Sequence, residues 1–129
     1  MSGESHAADT MGTTTEHGTA KMTVATDGSV LRIRLDGDVD LLNATSIAAA
    51  LRGLDRADNG RVVLELSGIT YLDSVGIALL VDAARRFALA RLEVSCVAPA
   101  DTPAGRILRL TGLEGVLGIA PGDTPGVAG

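Results

Sequence analysis

Aromatic residues and cysteine are nearly missing from this chain of 129 residues. One Tyr, one Phe and no Trp offer no platform on which bases of a single-stranded nucleic acid could stack. A net charge of −5 also argues against binding to a phosphate backbone. The single cysteine, Cys96, excludes an internal disulfide and a cysteine-based metal site, and its strand pattern favours a buried thiol over a redox sensor. We therefore expect an aliphatic core, no metal and no nucleic-acid partner.

Long apolar runs are missing as well, so we expect no segment that spans a membrane and no membrane partner. The first residues contain neither the basic nor the apolar part of a secretory signal, which favours a cytoplasmic protein. Residues 1–21 are rich in Ser, Thr, Gly and His and offer little to bury. We predict a disordered leader over 1–21, one domain over 22–120 and a mobile tail over 121–129.

Catalytic bases are scarce. Both histidines, His6 and His17, fall in the predicted leader, so the folded part should lack a Ser-His-Asp triad. The only lysine, Lys21, stands at the start of the first predicted strand, which disfavours a Ser-Lys pair. No glycine-rich phosphate loop follows a predicted strand. These absences predict a protein that is not an enzyme and has no cofactor.

Strand and helix signals alternate through the rest of the chain. The pattern predicts strands over 22–25, 30–35, 61–66, 92–97 and 115–119, and helices over 42–56, 74–90 and 103–111. Such alternation is typical of an α/β domain. We expect a mixed, mostly parallel sheet of about five strands with helices packed against it.

The most informative stretch runs from Leu64 to Val81. It reads as a buried strand, a short polar turn over 67–72 and a helix that begins at Asp73-Ser74. Ser74 is thus predicted at a helix N-terminus, where free N–H groups and the helix dipole favour an added negative charge.

The face of this helix opposite the predicted core stripe also carries two apolar residues, Val75 and Leu79. Two interpretations remain open for them. Another segment of the chain covers the pair, or the pair forms a small contact patch beside the Ser74 hydroxyl.

An acidic segment, Asp36 to Asp40, follows the second predicted strand. Its spacing resembles the start of a calcium loop, but the glycine and the closing glutamate are out of register. Solvated turn residues are the favoured interpretation, with Asp40 helping to cap the next helix. Because parallel strands end at one edge of a sheet, we expect Asp38 and Asp40 to lie close to Ser74.

Three motifs in this order resemble the STAS domain, and more narrowly the bacterial anti-sigma factor antagonists. They are Gly37-Asp38-Val39-Asp40, then Leu72-Asp73-Ser74-Val75-Gly76, then Thr111-Gly112-Leu113. The resemblance covers residues 22–120 and implies the STAS fold. Val75 departs from the family pattern, in which many members carry a second hydroxyl, and this leaves Ser74 as the one candidate acceptor in the motif.

The resemblance implies a protein that binds an anti-sigma factor with serine kinase activity when Ser74 is unphosphorylated and is released when that kinase phosphorylates Ser74. A serine phosphatase would reset the switch, and transcription would be regulated indirectly. The implied site is phosphorylated at Ser74 and binds its partner through Asp38, Asp40, Asp73, Ser74, Val75, Gly76 and Leu79. A scaffold or accessory subunit of a sensory or transport complex is the alternative, and a small hydrolase using Ser74 comes third.

Overall fold

A computed structural model describes residues 12–54 and 60–119. The strands are β1 (Thr13–His17), β2 (Ala20–Asp27), β3 (Val30–Val39), β4 (Arg61–Leu72) and β5 (Glu93–Val97). The helices are α1 (Ala44–Arg52), α2 (Ser74–Leu89), α3 (Pro103–Leu110) and the short α4 (Glu114–Leu117). The predicted tail over 121–129 and most of the predicted leader lie outside the described residues.

One mixed sheet contains these five strands in the order β1-β2-β3-β4-β5. The pairs β1-β2 and β2-β3 are antiparallel, whereas β3-β4 and β4-β5 are parallel. The predicted α/β class and the mixed five-stranded sheet are confirmed, with two of the four pairs parallel. Gly28 adopts a φ of +63° in the tight turn between β2 and β3, a conformation that glycine reaches at little cost.

Aliphatic side chains form the core, as the composition predicts. The fully enclosed residues include Ile33, Leu35, Ile47, Leu64, Leu66, Leu80 and Phe87. Each such side chain contributes roughly 1.5–3 kcal/mol when it leaves water. Val62, Val63 and Leu64 are consecutive and all buried, so this part of β4 is covered on both faces.

Strand β1 corrects the prediction of a disordered leader over 1–21, which is wrong for the part the structure describes. His17 is buried, with its Nδ1 2.6 Å from Ser46 Oγ and its Nε2 2.8 Å from Thr15 Oγ1. Asn43 Nδ2 donates to the His17 carbonyl over 3.0 Å. These contacts fasten β1 to the start of α1. The rest of β1 is exposed, which is why its sequence shows no burial signal.

His17 therefore belongs to the folded part, and the prediction that both histidines fall in a disordered leader is wrong for this residue. Its serine neighbour is Ser46, and its second ring nitrogen contacts the Thr15 hydroxyl instead of the carboxylate of a triad. The hydrogen bonds of His17 therefore do not involve Ser74.

Several further elements differ from the prediction. Strand β3 continues to Val39, so most of the acidic segment Asp36 to Asp40 is strand and not the predicted turn. Strand β4 continues through residues 67–72, where a polar turn is predicted, because Ile69 and Leu72 are buried and keep the strand on the core. The predicted last strand over 115–119 is mostly the helix α4, and only Ile119 forms a parallel bridge, to Cys96. Helix α1 ends at Arg52, so the described part of the predicted helix over 42–56 is shorter at both ends.

Cys96 is buried, as predicted, and burial raises the pKa of its thiol from 9.0 to about 12. A thiol in this setting stays protonated and unreactive near neutral pH. Within the described residues, no helix is long and apolar enough to cross a membrane.

Candidate functional site

The site forms where β3 and β4 end side by side. The two strands are parallel, and their last paired residues are Asp38 with Tyr71 and Val39 with Leu72. Beyond them the chain enters the loop before α1 in one case and the N-terminus of α2 in the other. The loop at residues 40–43 and the first turn of α2 are thereby brought to the same edge of the sheet, as expected for parallel strands.

Asp73 joins these two segments. It is the N-cap of α2, and its Oδ1 accepts a hydrogen bond of 2.8 Å from the Gly76 N–H. Its Oδ2 accepts a second, of 3.1 Å, from the Leu41 N–H in the loop before α1. One carboxylate therefore satisfies a free donor of the helix and also fixes the loop. The N-cap predicted from the sequence is confirmed, whereas the contact with Leu41 has no sequence signal.

Ser74 is the first residue of α2 and is exposed. Its hydroxyl makes no hydrogen bond with any other described residue. A negative group attached to this oxygen would lie at the positive end of the helix dipole, beside the N–H groups of the first turn. The position is therefore accessible to another protein and compatible with a phosphate.

Gly76 permits the close approach between α2 and β3. A Cβ atom at this position would lie 2.5 Å from the Val39 carbonyl oxygen and 2.7 Å from Leu72 Cδ1. Both distances are shorter than real carbon contacts, so a larger residue would push the first turn of α2 away from the strand. Gly76 thus shapes the site without presenting a side chain.

The acidic residues are held by short polar contacts. Asp38 Oδ1 accepts a 2.7 Å hydrogen bond from the Thr70 hydroxyl on β4. Asp40 Oδ1 accepts from the Leu42 N–H over 3.0 Å, and the Asp40 N–H donates to Asn43 Oδ1 over 3.0 Å. Asp40 therefore shapes its own loop, and the expectation that its side chain caps α1 is wrong, because Asn43 is the N-cap residue there.

Asp36 faces a different partner. It forms an ion pair of 2.9 Å with Arg34, and the hydrogen bond to Asp36 raises the pKa of the arginine. Among the residues that the structure describes, no cluster of three or more His, Cys, Asp or Glu could hold a metal ion.

The two apolar residues of α2 separate in the structure. Val75 is 36% exposed, whereas Leu79 is only 8% exposed. Leu79 lies between α1 and α2, where it shares a small cavity with Ala48, Leu51 and Ala83. Of the two interpretations left open, coverage by another segment holds for Leu79, because α1 covers it, and the assignment of Leu79 to an exposed contact patch is wrong. Val75 remains at the surface beside Ser74.

The sequence reasoning missed an exposed apolar pair, Leu41 and Leu42. Their side chains are 70% and 92% exposed, in the loop that Asp73 and Asp40 hold. The sequence places Leu42 at the start of a predicted helix, although the helix begins two residues later. The sequence signal for this exposed loop is the pair of leucines directly after the acidic segment Asp36 to Asp40.

Comparisons with known proteins agree with this architecture. A family model described as Mlab, STAS domain, matches residues 22–119. A crystal structure of an anti-sigma factor antagonist from Mycobacterium paratuberculosis has a TM-score of 0.68 and 22% sequence identity, and the match covers 79% of this chain and 86% of that one.

Two solved structures of the anti-sigma factor antagonist and Bacillus cell fate determinant SpoIIAA are also similar. The unphosphorylated form has a TM-score of 0.61 and 17% identity, covering 77% of this chain and 87% of that one. The phosphorylated form has a TM-score of 0.58 and 16% identity, covering 77% and 90%. At such identities, these three structures show that the fold is shared.

Proposed function

The chain belongs to the STAS domain family, and we propose that it is an anti-sigma factor antagonist controlled by phosphorylation of Ser74. In its unphosphorylated form it binds an anti-sigma factor that is also a serine kinase, and so frees a sigma factor. The observation that carries the proposal is the placement of Ser74. It is an exposed hydroxyl on the first residue of α2, at the edge where the loop before α1 meets that helix.

The chemical step needs only a phosphoryl donor and the kinase partner. The Ser74 oxygen attacks the γ-phosphorus of ATP and forms a new P–O bond. The bond between the γ-phosphorus and the bridging oxygen breaks, and ADP leaves with that oxygen. The serine proton passes to a base of the kinase. A serine phosphatase reverses the change by hydrolysing the phosphoserine. This chain supplies the acceptor and its surroundings, and the kinase supplies the catalytic residues.

The phosphate changes binding more than folding. It adds about −1.5 to −2 charges at a helix N-terminus, a position that favours negative charge. The same charge lies beside the Asp73 carboxylate and the exposed Val75 side chain. A partner surface that covers this region would have to desolvate the phosphate dianion. This desolvation costs free energy unless the partner provides a positive charge that pairs with the phosphate.

The proposed roles of the neighbouring residues follow from their contacts. Asp38, Asp40 and Val75 belong to the surface offered to the partner, whereas Asp73 and Gly76 position Ser74 and the adjacent loop. Leu79 is a core residue, so we assign it no direct partner contact.

Titration of the purified anti-sigma factors encoded in the source genome tests the proposal. We expect one of them to bind the wild type and to phosphorylate Ser74 when ATP is added, as read by mass spectrometry. Ser74→Ala should bind that partner and stay unmodified. Ser74→Glu should melt like the wild type and bind at least about tenfold more weakly.

Two results would contradict the proposal. One is that no anti-sigma factor binds the wild type. The other is equal affinity of the wild type and Ser74→Glu, the outcome expected if the domain is a scaffold subunit of a sensory or transport complex and Ser74 controls nothing.

A further inference from the structure

Leu41 and Leu42 form the most conspicuous apolar surface at the proposed site. Both side chains face solvent, 70% and 92% exposed, yet the backbone that carries them is fixed. The Leu41 N–H donates to Asp73 Oδ2, and the Leu42 N–H donates to Asp40 Oδ1. Two leucine side chains that stay in water carry an unfavourable free energy of hydration, and no packing contact compensates for it. A loop held in this conformation before binding loses less entropy when a partner covers it.

The charged side chains that contact the loop of this pair are two carboxylates, Asp73 through the Leu41 N–H and Asp40 through the Leu42 N–H. The sequence contains no Lys or Arg over residues 35–51 or 66–84, and the charged residues in these ranges are Asp36, Asp38, Asp40, Asp73 and Asp82. Asp36 is already paired with Arg34. The leucine pair therefore lies in an acidic surround formed by Asp38, Asp40 and Asp73, with Arg52 in the adjoining groove beside Val75. This surround is complementary to an apolar pocket edged by Lys or Arg.

The same charges argue against a second copy of this chain as the occupant. A symmetric dimer would place the leucine pair against itself and bring the two acidic surrounds together. Like charges brought together at an interface oppose association.

We propose that Leu41 and Leu42 are the apolar anchor with which this protein binds its anti-sigma factor, through a partner pocket edged by basic residues. The inference rests on the proposed function and adds the contact and the chemistry of the partner surface. The Asp73 carboxylate contacts the loop of the leucines, and the next residue is Ser74. A protein that covers the leucines thus also covers the phosphorylation site. A phosphate on Ser74 would therefore lie in the interface and could oppose binding.

Replacement of each leucine by serine tests the anchor against matched controls. Leu89 at the end of α2 and Leu110 at the end of α3 are 85% and 82% exposed, and both lie outside the proposed site. The probe is the anti-sigma factor that binds the wild type, and calorimetric titration gives each Kd. We expect Leu41→Ser and Leu42→Ser to bind at least about tenfold more weakly, with Leu89→Ser and Leu110→Ser within about twofold of wild type.

Melting curves and salt dependence complete the test. All four variants should melt close to the wild type because the replaced side chains are exposed. The wild-type Kd should weaken as salt is raised from about 0.05 to 0.3 M, since the charges of the acidic surround and the basic edge are screened.

The outcomes separate this inference from the proposed function. If the wild type binds and Ser74→Glu binds weakly, while both leucine variants bind like wild type, the anchor is wrong and the switch stands. If the anti-sigma factor does not bind at all, the proposed function fails first. A wild-type dimer in analytical ultracentrifugation that Leu42→Ser abolishes would make a second copy the occupant and overturn the inference.

Discussion

Two residues near Ser74, Asp73 and Gly76, determine how the candidate site is built. Asp73 uses both carboxylate oxygens, one on the Gly76 N–H and one on the Leu41 N–H. Gly76 gives α2 the space to approach the end of β3. Neither residue needs to touch a partner to matter, because together they set the position of the Ser74 hydroxyl.

At this scale we predict that Gly76→Ala lowers the free energy of unfolding by about 1–3 kcal/mol, since its methyl group would overlap the Val39 carbonyl. Gly115→Ala is the matched control. A Cβ at Gly115, in α4, meets no atom within 4 Å, so this variant should be as stable as wild type or slightly more so. Urea unfolding of the three proteins measures the difference. A Gly76→Ala protein with wild-type stability would show that the first turn of α2 shifts freely.

At the scale of elements, the packing of α1 on α2 decides which apolar residues are available to a partner. Leu79 points from α2 towards Ala48 and Leu51 on α1 and is buried there. Val75, one turn earlier, lines a groove with Ala44 and Thr45 at the start of α1 and stays partly exposed. The exposed surface near Ser74 is therefore formed by Val75 and the loop leucines, whereas Leu79 is buried between α1 and α2.

We predict that Leu79→Ala loses about 2–5 kcal/mol of stability, the cost of an aliphatic cavity in a core. Val75→Ala should stay within about 0.5 kcal/mol of wild type because its side chain is partly solvated. Thermal and urea unfolding decide between the two surfaces. Equal stability of Leu79→Ala and Val75→Ala would return Leu79 to the exposed patch.

For the whole molecule, the sheet organises both the stability and the site. Strand β4 is an interior strand, with β3 on one side and β5 on the other, and its C-terminal end leads into α2. Cys96 on β5 pairs with Leu64 on β4 and forms a parallel bridge with Ile119. The ionisation and reactivity of its thiol therefore depend on whether the domain is folded and not on the state of the candidate site.

We predict that the stability of the molecule falls in alkaline solution, in part through Cys96. Burial raises the pKa of this thiol to about 12 in the folded state, so the folded chain holds the proton after the unfolded chain has released it. The stabilising contribution is complete below about pH 9 and is lost as the pH rises towards 12, by at most about 1.4 kcal/mol per pH unit.

Urea unfolding of wild type and Cys96→Ala over this alkaline range isolates the contribution. The variant should start less stable and show a shallower decline with pH. Parallel pH slopes for the two proteins would mean that the thiol ionises equally easily in both states. Thiol reagents at neutral pH should label the native protein slowly and the urea-unfolded chain fast.

Local patterns alone determined much of this protein. The apolar run before residue 66, the Asp73-Ser74 helix start and the alternation of strands and helices predict the α/β class, a strand buried on both faces and a serine at a helix N-terminus. These features depend on neighbours in sequence, where hydrophobic periodicity and capping chemistry act directly. The acidic segment Asp36 to Asp40, predicted as a turn, belongs to strand β3 through Val39, and only Asp40 lies in the loop that meets α2.

Only the tertiary structure decided the rest, because it depends on contacts between distant residues. Strand β1 has no burial signal of its own and is held by a histidine, Ser46 and Asn43. Leu79 is polar-facing by helical periodicity but is covered once α1 packs against α2. Leu41 and Leu42 remain exposed because a carboxylate 32 residues along the chain fixes their loop. Periodicity records which residues share a face, and packing decides what covers that face.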